Sequence, residues 1–154
     1  MKLQFGIARA DIDYRHRAAV FGIAERDGLI ACVRITRDKG AYFDLPGGAV
    51  EGTETEAEAV AREFREETGL DVTPVDRLTE ASQYFVRTDG EGLNNVSAFW
   101  TLAISGSTPA NKLEQDHQLV WLSPLEAMQS VRHEAHAWAI TCWLRAQRQV
   151  VTMV

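Results

Sequence analysis

The sequence has few cysteines and no long apolar run, and both absences narrow the classes of protein to which it can belong. Cys32 and Cys142 lie far apart, so we expect two unpaired thiols in a reducing compartment rather than a disulfide scaffold. No segment approaches the roughly 20 consecutive apolar residues that cross a bilayer, and Met1 to Ala10 does not resemble a secretory signal. We therefore expect a cytoplasmic protein without a membrane partner.

Positive charge is also scarce. The chain has 16 lysines and arginines against 22 aspartates and glutamates, which gives a formal net charge of −6. A nucleic-acid strand, itself a polyanion, is therefore not an expected partner unless the positive charge is locally clustered. Hydrophobic residues make up 45% of the 154 positions, and there is no internal repeat or Pro/Ser-rich linker. This balance predicts a single domain over residues 1–154 with a core of its own.

The pattern of apolar residues predicts an α/β fold. Asp27-Gly28 is typical of a tight turn, so residues 17–24 and 29–36 are predicted to form a hairpin. Helical periodicity runs from Thr53, the predicted N-cap, to Gly69, the predicted C-cap. Further strands are predicted at residues 43–46, 72–86, 96–104 and 119–122, and helices from Ser123 onward and over residues 133–147. This order favours a mixed β-sheet between helices, an α/β/α sandwich.

The stretch from Leu45 to Leu70 concentrates carboxylates on one face of its helix. At about 100° per residue, Glu63, Glu66 and Glu67 share one side of the helix, beside the predicted core stripe. Like charges at these spacings repel, and the helix dipole disfavours negative charge near the C-terminus. A divalent cation offsets this repulsion, because carboxylate oxygens suit hard ions. An exposed acidic helix explains the three glutamates, taken alone, about as well.

Two neighbouring features fit a bound ligand. Gly47-Gly48 follows a strand that ends in proline, and a glycine pair lets the backbone bend tightly and approach a ligand closely. A bare carbonyl there can complete a metal shell. Arg62 points elsewhere on the helical wheel, toward the preceding loop, where it can pair with Glu54 or orient a ligating carboxylate.

The whole array resembles a known motif. Gly48, Glu54 and the run Arg-Glu-Phe-Arg-Glu-Glu-Thr-Gly-Leu at residues 62–70 resemble the Nudix box of the Nudix hydrolases, the MutT-like family. Every charged and glycine position matches, and Phe64 stands where the family usually has an aliphatic residue. The run from Trp121 to Glu126 is also similar to this family. The resemblance implies a Nudix-type α/β/α sandwich with a mixed β-sheet.

The resemblance also implies an activity, in which water cleaves the pyrophosphate bond of a nucleoside diphosphate linked to another group. Mg²⁺ or Mn²⁺ is the implied cofactor, and a small-molecule nucleotide diphosphate is the implied partner. The implied metal ligands are the Gly47 carbonyl, Glu63, Glu66 and Glu67. Family members often form homodimers, although no segment of this sequence specifies an interface.

The resemblance also implies roles for the other site residues, and for some of these roles it leaves more than one candidate. The implied catalytic set consists of Glu54, Arg62, Glu63 and Glu66, in which Glu54 and Arg62 orient the metal shell. A box glutamate is the first candidate for the general base, and an acidic residue of a late loop, Glu114 or Asp116, is the second. The residues predicted to bind substrate are Arg34, Arg37 and Glu114, with Arg17 as a further candidate for a phosphate contact.

Other side chains have a structural explanation that competes with a functional one. Tyr42, Tyr84 and Trp100 can stack on a base, but a place in the core is the more usual role of such aromatic residues. His133 and His136 are three residues apart, which differs from the four-residue spacing of the common helical zinc motif, so no zinc site is predicted there.

The sequence leaves the substrate open. It lacks the proline that follows the box in ADP-ribose members and the proline-rich signature of the NADH members. The alternative substrate is a nucleoside triphosphate, as in the pool-cleaning members. The alternative function is a non-catalytic nucleotide-binding regulatory module, although such a module should have lost box carboxylates that this chain keeps. The diphosphate isomerase branch alters the box and relies on a cysteine elsewhere, whereas Cys32 precedes an intact box.

Overall fold

A computed structural model describes residues 2–152 and the side chains of residues 2–147. The strands in this range are β1 (Gln4–Phe5), β2 (Tyr14–Arg26), β3 (Leu29–Arg37), β4 (Gly40–Asp44), β5 (Gly47–Ala49), β6 (Leu70–Val86), β7 (Gly92–Ser107) and β8 (His117–Leu122). The helices are α1 (Glu56–Thr68), α2 (Pro124–Ser130) and α3 (Glu134–Thr152), and a 3₁₀ turn covers Pro109–Asn111.

The strands form one mixed sheet in the order β1-β6-β7-β2-β3-β4. β1 is parallel to β6 and β2 is parallel to β7, whereas the other pairs are antiparallel. The short strand β5 also pairs with β2, and β8 pairs with β3. The sheet therefore splits along β2, which pairs with β7 through Ala24 and with β3 only at its last two residues.

The predicted hairpin between β2 and β3 is confirmed at its turn. Asp27 and Gly28 adopt φ angles of 53° and 81°, the left-handed conformation that a two-residue hairpin turn requires. Beyond this turn the two strands separate, because β2 continues along β7 while β3 continues between β4 and β8. The separation opens a cleft between the two halves of the sheet.

Strand β2 sends alternate side chains into two separate cores. Ala19, Phe21 and Ile23 belong to the core covered by α2 and α3, whereas Val20 and Ala24 belong to the core covered by α1. This division follows from the two-residue period of a strand, whose successive side chains point to opposite faces. Helices thus cover both faces of the sheet, and the predicted α/β/α sandwich is confirmed.

Helix α1 begins two residues later than the sequence pattern predicts. Its N-cap is Thr55, whose hydroxyl accepts a hydrogen bond from the N–H of Glu58 at 3.1 Å, while the Glu58 carboxylate accepts from the N–H of Thr55 at 3.3 Å. The prediction of Thr53 was wrong because its partner three residues on, Glu56, binds Arg77 instead, at 2.9 Å. The predicted C-cap is confirmed, since Gly69 has a φ of 75°.

Packing of β7 and α1 against β2 leaves no room for a side chain at Gly22. A Cβ built there would lie 2.3 Å from a methyl group of Leu102 and 2.9 Å from the ring of Phe64. We expect Gly22→Ala to lower the free energy of unfolding by about 1–3 kcal/mol, because both neighbours are held in a packed core. Urea denaturation measures this change.

Gly106→Ala is the matched control for that substitution, because the nearest atom to a Cβ at Gly106 is 3.6 Å away. We expect the control to remain within about 0.5 kcal/mol of the wild type. Equal unfolding midpoints for the wild type and Gly22→Ala would show that Leu102 and Phe64 are loosely packed against β2.

Candidate active site

A cleft of about 450 Å³ lies where the two halves of the sheet separate, a volume suited to a small-molecule ligand. The end of β4, strand β5, helix α1 and the loop before β8 all contribute to its walls. The carboxylates of the cleft include Asp44, Glu51, Glu63, Glu67 and Glu114, and its cationic side chains include Arg17, Arg37, Arg87, Arg132 and His117. Acidic and basic groups from distant parts of the chain therefore meet around one space.

Glu63 faces the glycine pair directly. A Cβ at Gly48 would lie 2.7 Å from the Glu63 Oε1 atom, so glycine is what lets the strand approach this carboxylate. The two glycines belong to strand β5, which is paired with β2, rather than to the free bend that the sequence suggested. Burial raises the pKa of Glu63 to about 7, and the negative charges of Glu67 and Glu66 add to this effect against the opposing charge of Arg62.

Glu67 is buried at the floor of the cleft, with only 4% of the residue exposed. Its Oε1 accepts a hydrogen bond from the N–H of Gly47 at 2.7 Å, and its Oε2 lies 2.9 Å from the Nε2 of His117. Burial raises the pKa of Glu67, and the bonds from His117 and Gly47 act in the opposite direction. The carboxylate that the helical wheel placed at the edge of the core is thus enclosed by it.

His117 links the helix to the loop before β8. Its Nε2 contacts Glu67, and its Nδ1 lies 2.8 Å from the Oδ1 of Asp116. Burial lowers the pKa of His117, but the two carboxylates outweigh this effect and raise it to about 9. The imidazole is therefore positively charged at neutral pH and fixes the orientation of Glu67.

Arg62 connects the other carboxylates of the motif. Its guanidinium forms a bidentate pair with Glu54, at 2.6 and 3.0 Å, and also donates to Glu63 at 3.1 Å and Glu66 at 3.2 Å. A further bond, at 3.1 Å, reaches the Ala49 carbonyl of β5. The hydrogen bonds from Arg62 lower the pKa of Glu54 to about 2. One guanidinium thus holds the loop before α1, the helix and β5 in register.

The late-loop residues lie beside this cluster. Glu114 lines the cleft, and ligand atoms of Glu114, Asp116 and His117 all lie within 4.8 Å of one another. Asp116 forms an ion pair with Arg37, which also lines the cleft. The loop is anchored on α1, because the N–H groups of Leu113 and Glu114 donate to the Glu66 carbonyl at 2.8 and 3.0 Å.

The predicted phosphate-binding arginines do not all reach the cleft. Arg37 lines it, whereas Arg34 is an exposed residue of β3 outside its lining. Arg17 lies in the cleft, and its Nε donates to the side-chain oxygen of Asn95 at 2.9 Å. Burial lowers the pKa of Arg17, and the charge of the nearby Arg87 adds to this effect.

Several cleft residues had no signal in the sequence that pointed to a site, among them Asp44, His117 and Arg132. Tyr42, expected in the core, instead lines the cleft against Arg132, with the guanidinium carbon 3.8 Å from the ring centre. His136 is a core residue whose Nδ1 accepts a hydrogen bond from the N–H of Leu45 at 3.1 Å.

Neither cysteine lines the cleft. Both are free thiols, as the sequence predicts, and burial raises the pKa of Cys32 to about 12. A thiol with such a pKa is not a nucleophile at neutral pH. This property disfavours the isomerase branch that relies on a cysteine.

A family model, described as the NUDIX domain, matches residues 13–144. The chain belongs to the Nudix family. The CTP pyrophosphohydrolase of Escherichia coli K12 is 34% identical over 113 residues, which cover 71% of this chain and 78% of that protein. An ADP-ribose pyrophosphatase of Methanocaldococcus jannaschii is 52% identical over 60 residues, but these cover 37% of this chain and 35% of that protein.

Solved structures agree with the fold of this Nudix protein. A NUDIX hydrolase from Nitrosomonas europaea superposes with a TM-score of 0.71 at 20% identity, over 86% of this chain and 90% of that one. The protein is a pyrophosphohydrolase, which uses water to cleave an acid anhydride in nucleoside diphosphate-linked substrates. Nudix hydrolases generally depend on a divalent metal. Within residues 2–152, no helix is long and apolar enough to span a bilayer.

Proposed function

We propose that this Nudix hydrolase uses Mg²⁺, or Mn²⁺ in its place, to cleave the pyrophosphate bond of a nucleoside diphosphate linked to another group. The observation that carries the proposal is the position of Glu63 and Glu67, two mostly buried carboxylates in one cleft. Glu63 shares its guanidinium partner with Glu54 and Glu66, so its charge is only partly neutralised. A bound divalent cation relieves this excess of negative charge.

The donor set fits a hard cation. Glu63, Glu66, Glu67 and the Gly47 carbonyl offer only oxygen ligands, and the missing side chain at Gly48 keeps the space next to Glu63 open. Mg²⁺ typically binds a few carboxylates together with substrate phosphates, and when bound it neutralises the phosphates and lowers the pKa of a coordinated water. Glu54 and Arg62 orient these ligands through the hydrogen bonds described above.

The protein groups proposed to act on water and phosphate are carboxylates and arginines of the site. A glutamate of the box stays our first candidate for the general base, and Glu114 of the adjacent loop, which lines the cleft, is the second. Glu66 lies outside the lining of the cleft and accepts a hydrogen bond from Arg62. Arg37, held by Asp116, and Arg17, held by Asn95, lie in the cleft, where they can bind the phosphate groups. Glu114 is also proposed to face the substrate. Arg34 is left out of this role, since it lies outside the lining of the cleft.

A nucleoside triphosphate is the second candidate substrate. It is favoured by the similarity to the CTP pyrophosphohydrolase, because that match covers most of both chains whereas the match to the ADP-ribose pyrophosphatase covers one segment. We place the enzyme in the cytoplasm, supported by its two free thiols. We also treat residues 1–154 as one domain, because helices packed on both faces of one sheet enclose the cores.

A substrate panel tests the proposal. We expect turnover of at least one member among ADP-ribose, UDP-sugars, dinucleoside polyphosphates, CTP and the deoxynucleoside triphosphates with Mg²⁺ or Mn²⁺. With EDTA the rate should fall by about 10³-fold or more, because the carboxylates would then repel an anionic substrate. Product analysis in ¹⁸O-labelled water identifies the phosphorus that is attacked. Hydrolysis that persists unchanged in EDTA would contradict the proposed role of the carboxylate cluster.

A further inference from the structure

One end of the cleft carries side chains that hydrolysis of a pyrophosphate does not require. We call this end the ring subsite and define it by Tyr42, Asp44, Phe85, Arg132 and His133. Asp44 ends β4, Phe85 lies near the end of β6, and Arg132 and His133 join α2 to α3. The N–H of Arg132 donates to the Phe43 carbonyl at 2.8 Å, so the helix connection is fixed to β4.

Two buried polar atoms of the ring subsite have no partner among the described residues. They are the Oδ1 of Asp44 and the Nε2 of His133, and each residue is only 7% exposed. Leaving such a group unpaired is costly, and nearly all buried polar atoms in proteins find a partner. Both residues line the cleft, so a ligand in the cleft can supply the missing hydrogen bonds.

The walls of the ring subsite suit a flat heterocycle. The guanidinium carbon of Arg132 lies 3.8 Å from the centre of the Tyr42 ring and 5.7 Å from that of Phe85. The His133 ring centre is 5.0 Å from that of Phe85. Planar groups of this kind stack on planar ligands through dispersion and cation–π attraction. Arg17, whose charge interacts with that of Glu63, lies outside this set of planar groups and is the arginine proposed for the phosphates, whereas Arg37 borders the set, with its guanidinium carbon 5.9 Å from the Tyr42 ring centre.

We propose that the ring subsite binds the nucleobase of the substrate and that Asp44 selects bases with an exocyclic amino group over those with a carbonyl group at the same position. The reason lies in the two oxygens of Asp44. Its Oδ2 accepts a hydrogen bond from Arg132 at 2.9 Å, and its Oδ1 is left to accept a second one. A carboxylate only accepts, so an amino group pairs with it whereas a carbonyl oxygen is repelled.

His133 does not provide the same selectivity. Burial lowers the pKa of His133 to about 3, so its ring is neutral, and a neutral imidazole nitrogen can donate or accept according to its tautomer. Burial raises the pKa of Asp44 to about 6 against the charge of Arg132, so the carboxylate is ionised at pH 8. Asp44 is therefore the selective group of the pair at that pH.

The inference rests on the proposed function, and its test uses nucleotides that differ only in the amino or carbonyl group and its ring neighbour. We expect the wild type at pH 8 with Mg²⁺ to show a kcat/KM at least about 100-fold higher for CTP than for UTP, or for ATP than for ITP, according to which ring fits. In Asp44→Asn the amide oxygen can still accept from Arg132 while the amide N–H₂ faces the ligand. The ratio should then fall by about 30-fold or more, or invert.

Asp76→Asn is the matched control, because it removes the same charge from an exposed residue of β6 outside the cleft. We expect the control to keep the wild-type ratio. Circular dichroism establishes that Asp44→Asn is folded. The assignment of Asp44 would be overturned if the wild-type kcat/KM values differed by less than about threefold within both nucleotide pairs, or if their ratio were unchanged in folded Asp44→Asn.

Binding without metal separates this inference from the proposed function. Calorimetry in EDTA compares CMP with UMP and AMP with IMP on the wild type, so it needs neither turnover nor a variant. We expect the amino-bearing member of one pair to bind at least about 30-fold more tightly. Equal binding within both pairs, or binding of no monophosphate, overturns the ring subsite. Selective binding by a protein that hydrolyses no nucleotide would support the subsite and contradict the proposed function.

Discussion

Glu63→Gln is expected to reduce the Mg²⁺-dependent rate of hydrolysis by about 10³-fold or more. Glutamine keeps the size of the side chain next to Gly48 and can still accept a hydrogen bond from Arg62. It removes the negative charge that the cleft offers to a divalent ion. The fall in kcat should be accompanied by a weaker apparent affinity for Mg²⁺, which a metal titration of the rate measures.

The same substitution is expected to stabilise the metal-free protein above pH 7. The pKa of Glu63 is raised from 4.5 to about 7, so folding favours its neutral form. Neutral Glu63 therefore contributes to the free energy of unfolding, and this contribution is fully present below pH 4.5 and is lost as the pH rises through 7. A glutamine at this position is neutral at every pH, so the variant keeps this contribution above pH 7. At pH 8 in EDTA, the free energy of unfolding of Glu63→Gln should exceed that of the wild type by about 1–3 kcal/mol.

Glu80→Gln serves as the control for both effects, because Glu80 is an exposed residue of β6 outside the cleft. It should leave the rate and the pH dependence of unfolding close to those of the wild type. A Glu63→Gln enzyme that retains more than about a tenth of the wild-type rate would show that the metal site does not depend on this carboxylate.

Arg62→Lys is expected to lower kcat by about 100-fold and the free energy of unfolding by about 2 kcal/mol. The guanidinium donates to Glu54 through two nitrogens and also reaches Glu63, Glu66 and the Ala49 carbonyl. A lysine ammonium is a compact point charge and cannot span these acceptors. The carboxylates would keep most of their charge balance but lose their fixed orientation. Steady-state kinetics and urea denaturation measure the two effects.

Arg77→Lys gives a comparison at the first turn of the same helix, where Arg77 of β6 pairs with Glu56. Arg77 binds Glu56 at 2.9 Å and Glu80 at 3.0 Å, but 42% of its side chain is exposed, against 21% for Arg62. Exposed ion pairs contribute about 0–1 kcal/mol, so we expect little change in stability and none in kcat. Equal losses in the two lysine variants would mean that Arg62 stabilises the helix without orienting the metal ligands.

The motif was predictable because it is local. The glutamates, the arginine and the glycines lie within one short strand, the loop after it and one helix, so they are close together along the chain, and the helical period and the C-cap at Gly69 place the helical residues. The exact N-cap of the helix could not be predicted, since Thr53 and Thr55 both precede a glutamate by three residues. The choice depends on Arg77 of β6, which takes Glu56 as its partner.

Contacts between distant segments set the limit of sequence-based prediction. Arg34 and Arg37 occupy opposite faces of β3, and only the packing of the sheet decides which face borders the cleft. Pairing of β3 with β8 brings His117 opposite Ile35, and the connection between α2 and α3 brings Arg132 to Asp44. No local pattern in the sequence marks these pairings.

The arginines that line the cleft make the electrostatic potential there less negative than the net charge of the protein indicates. At an ionic strength of 0.15 M the Debye length is about 8 Å, so a nucleotide in the cleft senses mainly the acidic and basic side chains that line it and little of the charge elsewhere on the molecule. In dilute buffer the field of the whole molecule, with its formal charge of −6, extends farther and repels the same anion. We therefore expect moderate salt to weaken this long-range repulsion and to speed the binding of substrate, the reverse of the usual behaviour of electrostatically steered pairs.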